Sequence, residues 1–583
     1  MLSLDQAQAL EHWLQAFNES LRQPDPARIA SLLLEDSHWR DAVALTGELR
    51  TVSGGQAIAG VLAAALARLE VGPFEVDPAR CPPRVVDRVG VRAIEAMLRF
   101  RTRIGVCAAV VRLPAAGPTL AWTVHTALQG IHGHDEATVR AAREEPVFDR
   151  HFDGPSWLDR RTRRHRFEDR EPTVLIVGGG HGGLSVAARL GQIGIDALVV
   201  DREARIGDNW RLRYRALRLH NTFHSNHLPY LPFPATWQPY LPKDRVANWL
   251  ETYVDSLDIA FWTQTAFAGA ERDESAGRWV ARVRRSDGNV RTLYPRHIVM
   301  ATGVSGVPKR PKVPTLEQFS GPVLHTSEFS DGQAWKGRHV LILGTGTSAH
   351  DVAQDLHSHG AHATLIQRSP TLVIQVEPSA QLYDALFLGE GPSLEDRDLI
   401  LTSIPKAVML ESHRMLTREA EALDATLLDG LRRIGFKLTS GVDGTGWPYL
   451  FRTRGGGYYF NVGCSDLLVR GEVGLTQYDQ IESFVAEGVR MKDGRLLPAD
   501  LVVLATGYEG HDHTVRTLFG AAVAERVGQI WGFDPETQEL ASMWTRTGQP
   551  GLWFTGGPFS LCRAYSRYLA LQIQAEELGH DFS

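Results

Sequence analysis

Residues Pro172 to Asp201 read PTVLIVGGGHGGLSVAARLGQIGIDALVVD: an apolar strand, a glycine turn, a helix and a second apolar strand ending in an acid. Gly178, Gly180 and Gly183 give the spacing G-x-G-x-x-G directly after Val174 to Val177. Asp201 follows about twenty residues on, where the ribose-binding acid of a dinucleotide site belongs. The first glycine allows the tight turn, the second lets backbone N–H groups approach a pyrophosphate, and the third brings the helix against the sheet. The positive N-terminus of that helix then faces the phosphates.

A chain of 583 residues exceeds what one core holds, and about three domains are expected. A formal charge of -6 gives no reason to expect nucleic acid or anionic lipid as a partner. No apolar run reaches membrane-spanning length, and the opening MLSLDQAQALEHWLQAF has acids where a signal peptide has bases, so a cytoplasmic protein without a membrane partner is expected. Cys81, Cys107, Cys464 and Cys562 are scattered, which argues against a disulfide framework or zinc site. His132 with His134, and His511 with His513, lack a completing acid or cysteine and are read as loop residues; no metal is expected.

Leu2 to Leu34 has helical periodicity, as does Gly55 to Leu69. Ile94, Ala96, Leu98 and Phe100 then alternate with Glu95, Met97, Arg99 and Arg101 as in a half-buried strand, and Val106 to Leu113 and Leu120 to Leu128 give two more. Residues 134–171, with Arg160, Arg161, Arg163, Arg164 and Arg166, are expected to be a solvated charged linker.

A second strand, turn and helix follows at His339 to Leu343, Gly344-x-Gly346-x-x-Ala349 and SAHDVAQDL, with Ser348 in the opening turn. Here the strand after the helix ends in Arg368 and Ser369, not in an acid. A carboxylate hydrogen-bonds a ribose 2'-hydroxyl and repels phosphate, whereas a guanidinium pairs with a 2'-phosphate.

Several further phrases carry a family resemblance. GDNWRLRY and LRLHNTFHSNHLPYLPFP resemble the flavin-containing monooxygenases, and among them the YUCCA-like branch, over about Thr173 to the C-terminus. Phe319-x-Gly321-x-x-x-His325-x-x-x-Phe329 resembles that family's F-x-G-x-x-x-H fingerprint, with Phe329 where Trp or Tyr is usual. LVVLATGY at Leu501 to Tyr508 resembles the family's second A-T-G-Y strand, and GLWFTGG at Gly551 to Gly557 its closing strand. The order of elements before Gly133 resembles an NTF2-like, or SnoaL-like, cone.

The resemblance implies an α/β fold with two Rossmann-like domains, one for FAD and one for NADPH, after an α+β NTF2-like domain. The expected division is 1–133 NTF2-like, 134–171 linker, 172–325 FAD domain, 326–505 NADPH domain with a helical insertion at Thr371 to Leu475, and 506–583 returning to the FAD domain. It places Asn209, Trp210, Thr302, Gly303, Thr506, Gly507 and Gly557 near the cofactors and makes His325 a hinge residue that bonds backbone. Asn221 takes the place of the asparagine facing the flavin C4a edge, with Asn226 as its competitor. The contrast of Asp201 with Arg368 makes the first site FAD and the second NADPH. The N-terminal domain is read as a docking or dimerisation module, with substrate gating as the alternative.

The activity implied is an NADPH-dependent flavin monooxygenase forming a C4a-hydroperoxyflavin with O2 and oxygenating a soft nucleophile, an amine nitrogen or a sulfide, as N,N-dimethylaniline monooxygenases do. Alternatives are Baeyer-Villiger or 2-oxo-acid chemistry, an uncoupled NADPH oxidase, and a non-enzymatic redox sensor. The dithiol-disulfide flavoprotein class needs a close cysteine pair that the sequence lacks.

Overall fold

The computed structural model describes residues 2–117, 119–142, 153–580 and 582. Three large sheets organise it. The first in chain order is seven-stranded and built from residues 33–131. Three of its strands, Val91–Arg101, Gly105–Pro114 and Ala121–Ile131, form the expected antiparallel meander. The sheet is nevertheless mixed, because Leu33–Ala42 pairs parallel to Ala121–Ile131. Helical structure thus ends at Ala30, short of the expected Leu34.

The half-buried strand is also corrected: Glu95 and Met97 are buried along with the alternating apolar set. The reason is that the sheet's second face meets the rest of the chain. Arg84, Arg88 and Arg112 converge on Glu95 and hold its carboxyl down to about 2 against the cost of burial, and Arg112 goes on to donate to Ser403 Oγ at 2.7 Å.

Residues 143–152 of the expected linker lie outside the described residues. Beyond them the basic cluster forms a helix, Trp157–Arg166, started by a Ser156 and Asp159 capping box. Its arginines are not merely solvated: Arg161 and Arg164 both pair with Asp258.

The quoted stretch forms Val174–Val177, His181–Gln192 and Ala197–Val200. Its strands join a five-stranded parallel sheet in the order Ala260–Trp262, Ala197–Val200, Val174–Val177, His297–Met300, Leu552–Phe554. The closing helix Phe559–Glu577 packs on His181–Gln192. A second parallel sheet runs Val323–His325, Leu501–Leu504, His339–Leu343, His362–Gln367, Gly474–Gln477. Val323–His325, on the near side of the expected division at 325, pairs in this second sheet. The segment between its last two strands contributes four α-helices between Leu394 and Arg454 and a parallel strand pair, Leu372–Gln375 with Tyr458–Asn461. Among the described residues no helix is long and apolar enough to cross a membrane.

Candidate functional site

At the first glycine turn three chain segments touch. Gly178 has φ +110°, and a Cβ there would lie 2.5 Å from the Ala301 carbonyl oxygen; one on Gly183 would lie 2.1 Å from the Gly178 oxygen. A Cβ on Gly556 would stand 3.9 Å from the Gly303 Cα. The strand ends leading into Thr302, Gly303 and Gly557 therefore meet beside the turn. Gly180 caps His181–Gln192 without a side-chain acceptor, which leaves the first helical N–H groups available to an anion. Asp201 holds the turn from behind: Oδ2 accepts the Gly179 N–H at 2.7 Å and Oδ1 the Glu203 N–H at 2.9 Å.

Aromatic side chains line this junction. His181 stacks on Phe559 at 3.9 Å, and Trp210 lies tilted 6.0 Å from Phe559 and 6.1 Å from His181. His181 Nε2 donates to the Gly557 carbonyl at 2.8 Å, and burial keeps the ring neutral, so Nδ1 is an acceptor. That Nδ1, the Trp210 indole N–H and His511 Nε2 are buried without hydrogen-bond partners. His511 opens the helix His511–Phe519 instead of lying in a loop, and burial lowers it to about 4. Asn209 is exposed, its amide 3.1 Å from where a Gly180 Cβ would sit. Buried polar atoms with no protein partner, beside a cradle that any Cβ would fill, are what a bound dinucleotide requires.

The second turn repeats the plan. Gly344 has φ +125°, with a would-be Cβ 2.5 Å from the Ala505 oxygen. Gly346 caps Thr347–Ser358, again without a side-chain acceptor, and Ser348 is half-buried in its first turn. Arg368 and Ser369 are exposed just past His362–Gln367, and the Arg368 guanidinium has no ion-pair partner among the described residues. Both donor sets suit a dinucleotide, with a base at the second acid position.

His325 is fully buried between the sheets' connections. Its Nδ1 accepts the Ser327 backbone N–H at 3.1 Å, so the proton lies on Nε2, which donates to the Gly507 carbonyl at 3.0 Å. Burial lowers its pKa, in keeping with a neutral ring. Thr506 Oγ1 donates to the Lys309 carbonyl at 2.6 Å and the Lys309 N–H to the Gly507 carbonyl at 3.0 Å, completing this crossing.

The loop after Trp210 bridges the two turns. Tyr214 donates to Asp351, on the second glycine helix, at 2.6 Å. His220 stacks on Phe460 at 5.3 Å. Arg563 of the closing helix donates to the carbonyls of Ser225 and His227 at 2.9 and 2.8 Å. The two asparagines differ sharply. Asn226 is buried and spends its amide on the Asn221 and Thr222 carbonyls, whereas Asn221 is half-buried and reaches across to Asp384 Oδ2 at 3.0 Å. His181 and Asp384 carry no signal in the sequence, and His511 reads there as a loop residue, since what surrounds each is distant in the chain.

Residues 175–384 match the family described as pyridine nucleotide-disulphide oxidoreductase. The chain is 31% identical over 355 residues to indole-3-pyruvate monooxygenase YUCCA1 of Oryza sativa subsp. japonica, covering 61% of this chain and 81% of that one. It is 29% identical over 342 residues to the probable indole-3-pyruvate monooxygenase YUCCA4 of Arabidopsis thaliana, covering 58% and 76%. Among solved structures it resembles open cyclohexanone monooxygenase, with a TM-score of 0.51 at 18% identity over 70% of this chain and 88% of that one. A cyclohexanone monooxygenase mutant from Rhodococcus sp. Phi1 bound to NADP+ gives 0.52 at 18% identity over 70% and 86%. These two likenesses concern the fold.

Proposed function

The chain belongs to the flavin monooxygenase family, whose enzymes depend on FAD and NADPH, and from that premise we propose that it uses NADPH and O2 to place one oxygen atom in a small organic substrate. The observation that carries this reading is the pair of glycine turns, each at the end of a parallel strand, linked by the single loop from Tyr214 to Asn226. Two nucleotide sites on one chain let a hydride pass between bound cofactors without a diffusing carrier.

The residue roles follow from position and chemistry. Gly178, Gly180 and Gly183, with the N-terminus of His181–Gln192, hold the FAD pyrophosphate, and Asp201 the ribose. His181 and Trp210 offer an acceptor and a donor beside Gly557, and Asn209, Thr302 and Gly303 complete the wall. Gly344, Gly346 and Ser348 hold the NADPH pyrophosphate, while Arg368 and Ser369 take its 2'-phosphate. Thr506, Gly507 and His325 form the crossing between the two Rossmann-like units. Bound FAD, once reduced, supplies the activation of O2 that no amino-acid side chain provides. Asn221 donates its amide at the flavin C4a edge, and the aromatic residues exclude water.

The N-terminal unit, 1–133, is proposed as an NTF2-like module that docks on the catalytic body. Arg40 supports docking, since it reaches Glu539, Tyr565 and the carbonyls of Thr402 and Ile404. The remaining division keeps the expected segments, with the strand Val323–His325 moved to the NADPH unit.

Two substrate classes compete. The indole-3-pyruvate activity in the names of relatives at 29% and 31% identity favours a 2-oxo acid, which we take first. Amine or sulfide oxygenation rests on the wider family resemblance. Purified protein given NADPH and a panel of indole-3-pyruvate, sulfides, tertiary amines and ketones should yield one oxygenated product class. Protein without FAD, or without NADPH oxidation under any of these conditions, would overturn the reading.

A further inference from the structure

Asp384 lies in the 3-10 helix Ser379–Phe387, inside the segment that interrupts the second sheet. One donor from a distant loop reaches its carboxylate, the Asn221 amide at 3.0 Å, and the same loop is held beside it by the Ser225 hydroxyl, which donates to the Thr222 carbonyl at 3.1 Å. An ionised carboxylate offers only acceptors, so the amide must turn its nitrogen toward Asp384. That fixes the flip of Asn221. One amide hydrogen and the carbonyl oxygen remain for a ligand on the other side.

Building on the assignment of Asn221 to the flavin edge, we infer that Asp384 is the positioning residue that selects which face of the Asn221 amide the flavin meets. Burial raises the Asp384 carboxyl to about 6, against the hydrogen bonds that lower it. Once protonated it becomes a donor, the Asn221 oxygen becomes the better partner, and the amide turns over. The charged groups around it are engaged elsewhere. Arg397 donates to the carbonyls of Leu386, Leu388, Gly389 and Pro392. Arg563 pairs with Asp398, and Asp424 accepts from Ser379 and the Gln375 N–H. His413 lies against Tyr383, and Gln381 donates both to the Tyr240 hydroxyl and to Glu377.

The test combines turnover with a direct view of the amide. In the wild type, product formed per NADPH oxidised should fall as pH drops through about 6. In Asp384→Asn, whose amide both donates and accepts and so no longer fixes the flip of Asn221, it should be lower by about twofold or more and flat with pH. Asp384→Glu should recover part of it. Asn221→Ala combined with Asp384→Asn should be no worse than Asn221→Ala alone. In protein labelled with 15N-asparagine, the side-chain amide resonance missing from Asn221→Ala should titrate with a midpoint near 6 in the wild type and stay fixed in Asp384→Asn.

If Asn221→Ala uncouples while Asp384→Asn leaves coupling, pH profile and resonance unchanged, the inference fails and the role of Asn221 stands. If Asn221→Ala stays coupled, the underlying assignment fails and the inference falls with it. The wild-type titration needs no variant, so a flat resonance from about pH 5 to 8 overturns the inference even where Asp384→Asn does not fold.

Discussion

Arg40 Nη2 and Glu539 Oε2 lie 2.6 Å apart, and this pair ties the N-terminal sheet to the C-terminal part of the chain. Arg40 Nε reaches the other carboxylate oxygen at 2.8 Å, and Nη1 donates to the carbonyls of Thr402 and Ile404. Thr51 Oγ1 also donates to Glu539, so both partners are satisfied although nearly buried.

Arg40→Ala should therefore leave a buried carboxylate unpaired and cost about 3–5 kcal/mol. Thermal unfolding should show the loss, and Arg40→Met with Glu539→Gln should restore most of it. An unchanged midpoint in Arg40→Ala would mean that the N-terminal unit is not held by this contact.

Gly183→Ala puts a methyl 2.1 Å from the Gly178 oxygen, and the first turn must open to take it. FAD content at purification should fall at least about tenfold, because the turn is what shapes the pyrophosphate cradle. Gly191→Ala, on the same helix but with nothing within 4 Å of the new methyl, should keep its FAD. Equal FAD in both variants would remove the first turn from the cofactor site.

Arg368→Ala should reduce the preference for NADPH over NADH in kcat/KM by about 10- to 100-fold, the worth of a charge-assisted contact to phosphate. Steady-state rates with both nucleotides measure it. A preference that does not move would locate the 2'-phosphate elsewhere.

His325→Ala removes one of the two donors to the Gly507 carbonyl, the Lys309 N–H remaining, and should cost about 0.5–1.5 kcal/mol. His325→Gln, which can still donate, should recover part of that stability. Because burial lowers the His325 pKa and Nε2–H is already committed, the pH profile of NADPH oxidation should have the same shape in His325→Gln as in the wild type. A lost limb in that profile would make His325 an acid-base group.

Both glycine turns were legible because their geometry admits few residues: Gly178 and Gly344 have left-handed φ and face a carbonyl oxygen closely. The strands from Val91 to Ile131 were legible because their neighbours are local hairpin partners. Leu33–Ala42 was not, since LLEDSHWRDA carries charges that the fold absorbs. Asp41, for one, is buried and accepts from Thr46, Thr126 and the Leu45 N–H. Its parallel partner lies across the unit, beyond any local pattern. Asp384 stands 163 residues from the Asn221 it meets, and no spacing rule joins them.

The fate of the oxygen atom tests the proposed reaction most directly. Under 18O2, with NADPH and the substrate selected by the panel, the product should carry one labelled oxygen atom for each NADPH oxidised. NADPH oxidation that sends all of the label to hydrogen peroxide, whatever substrate is present, would contradict it.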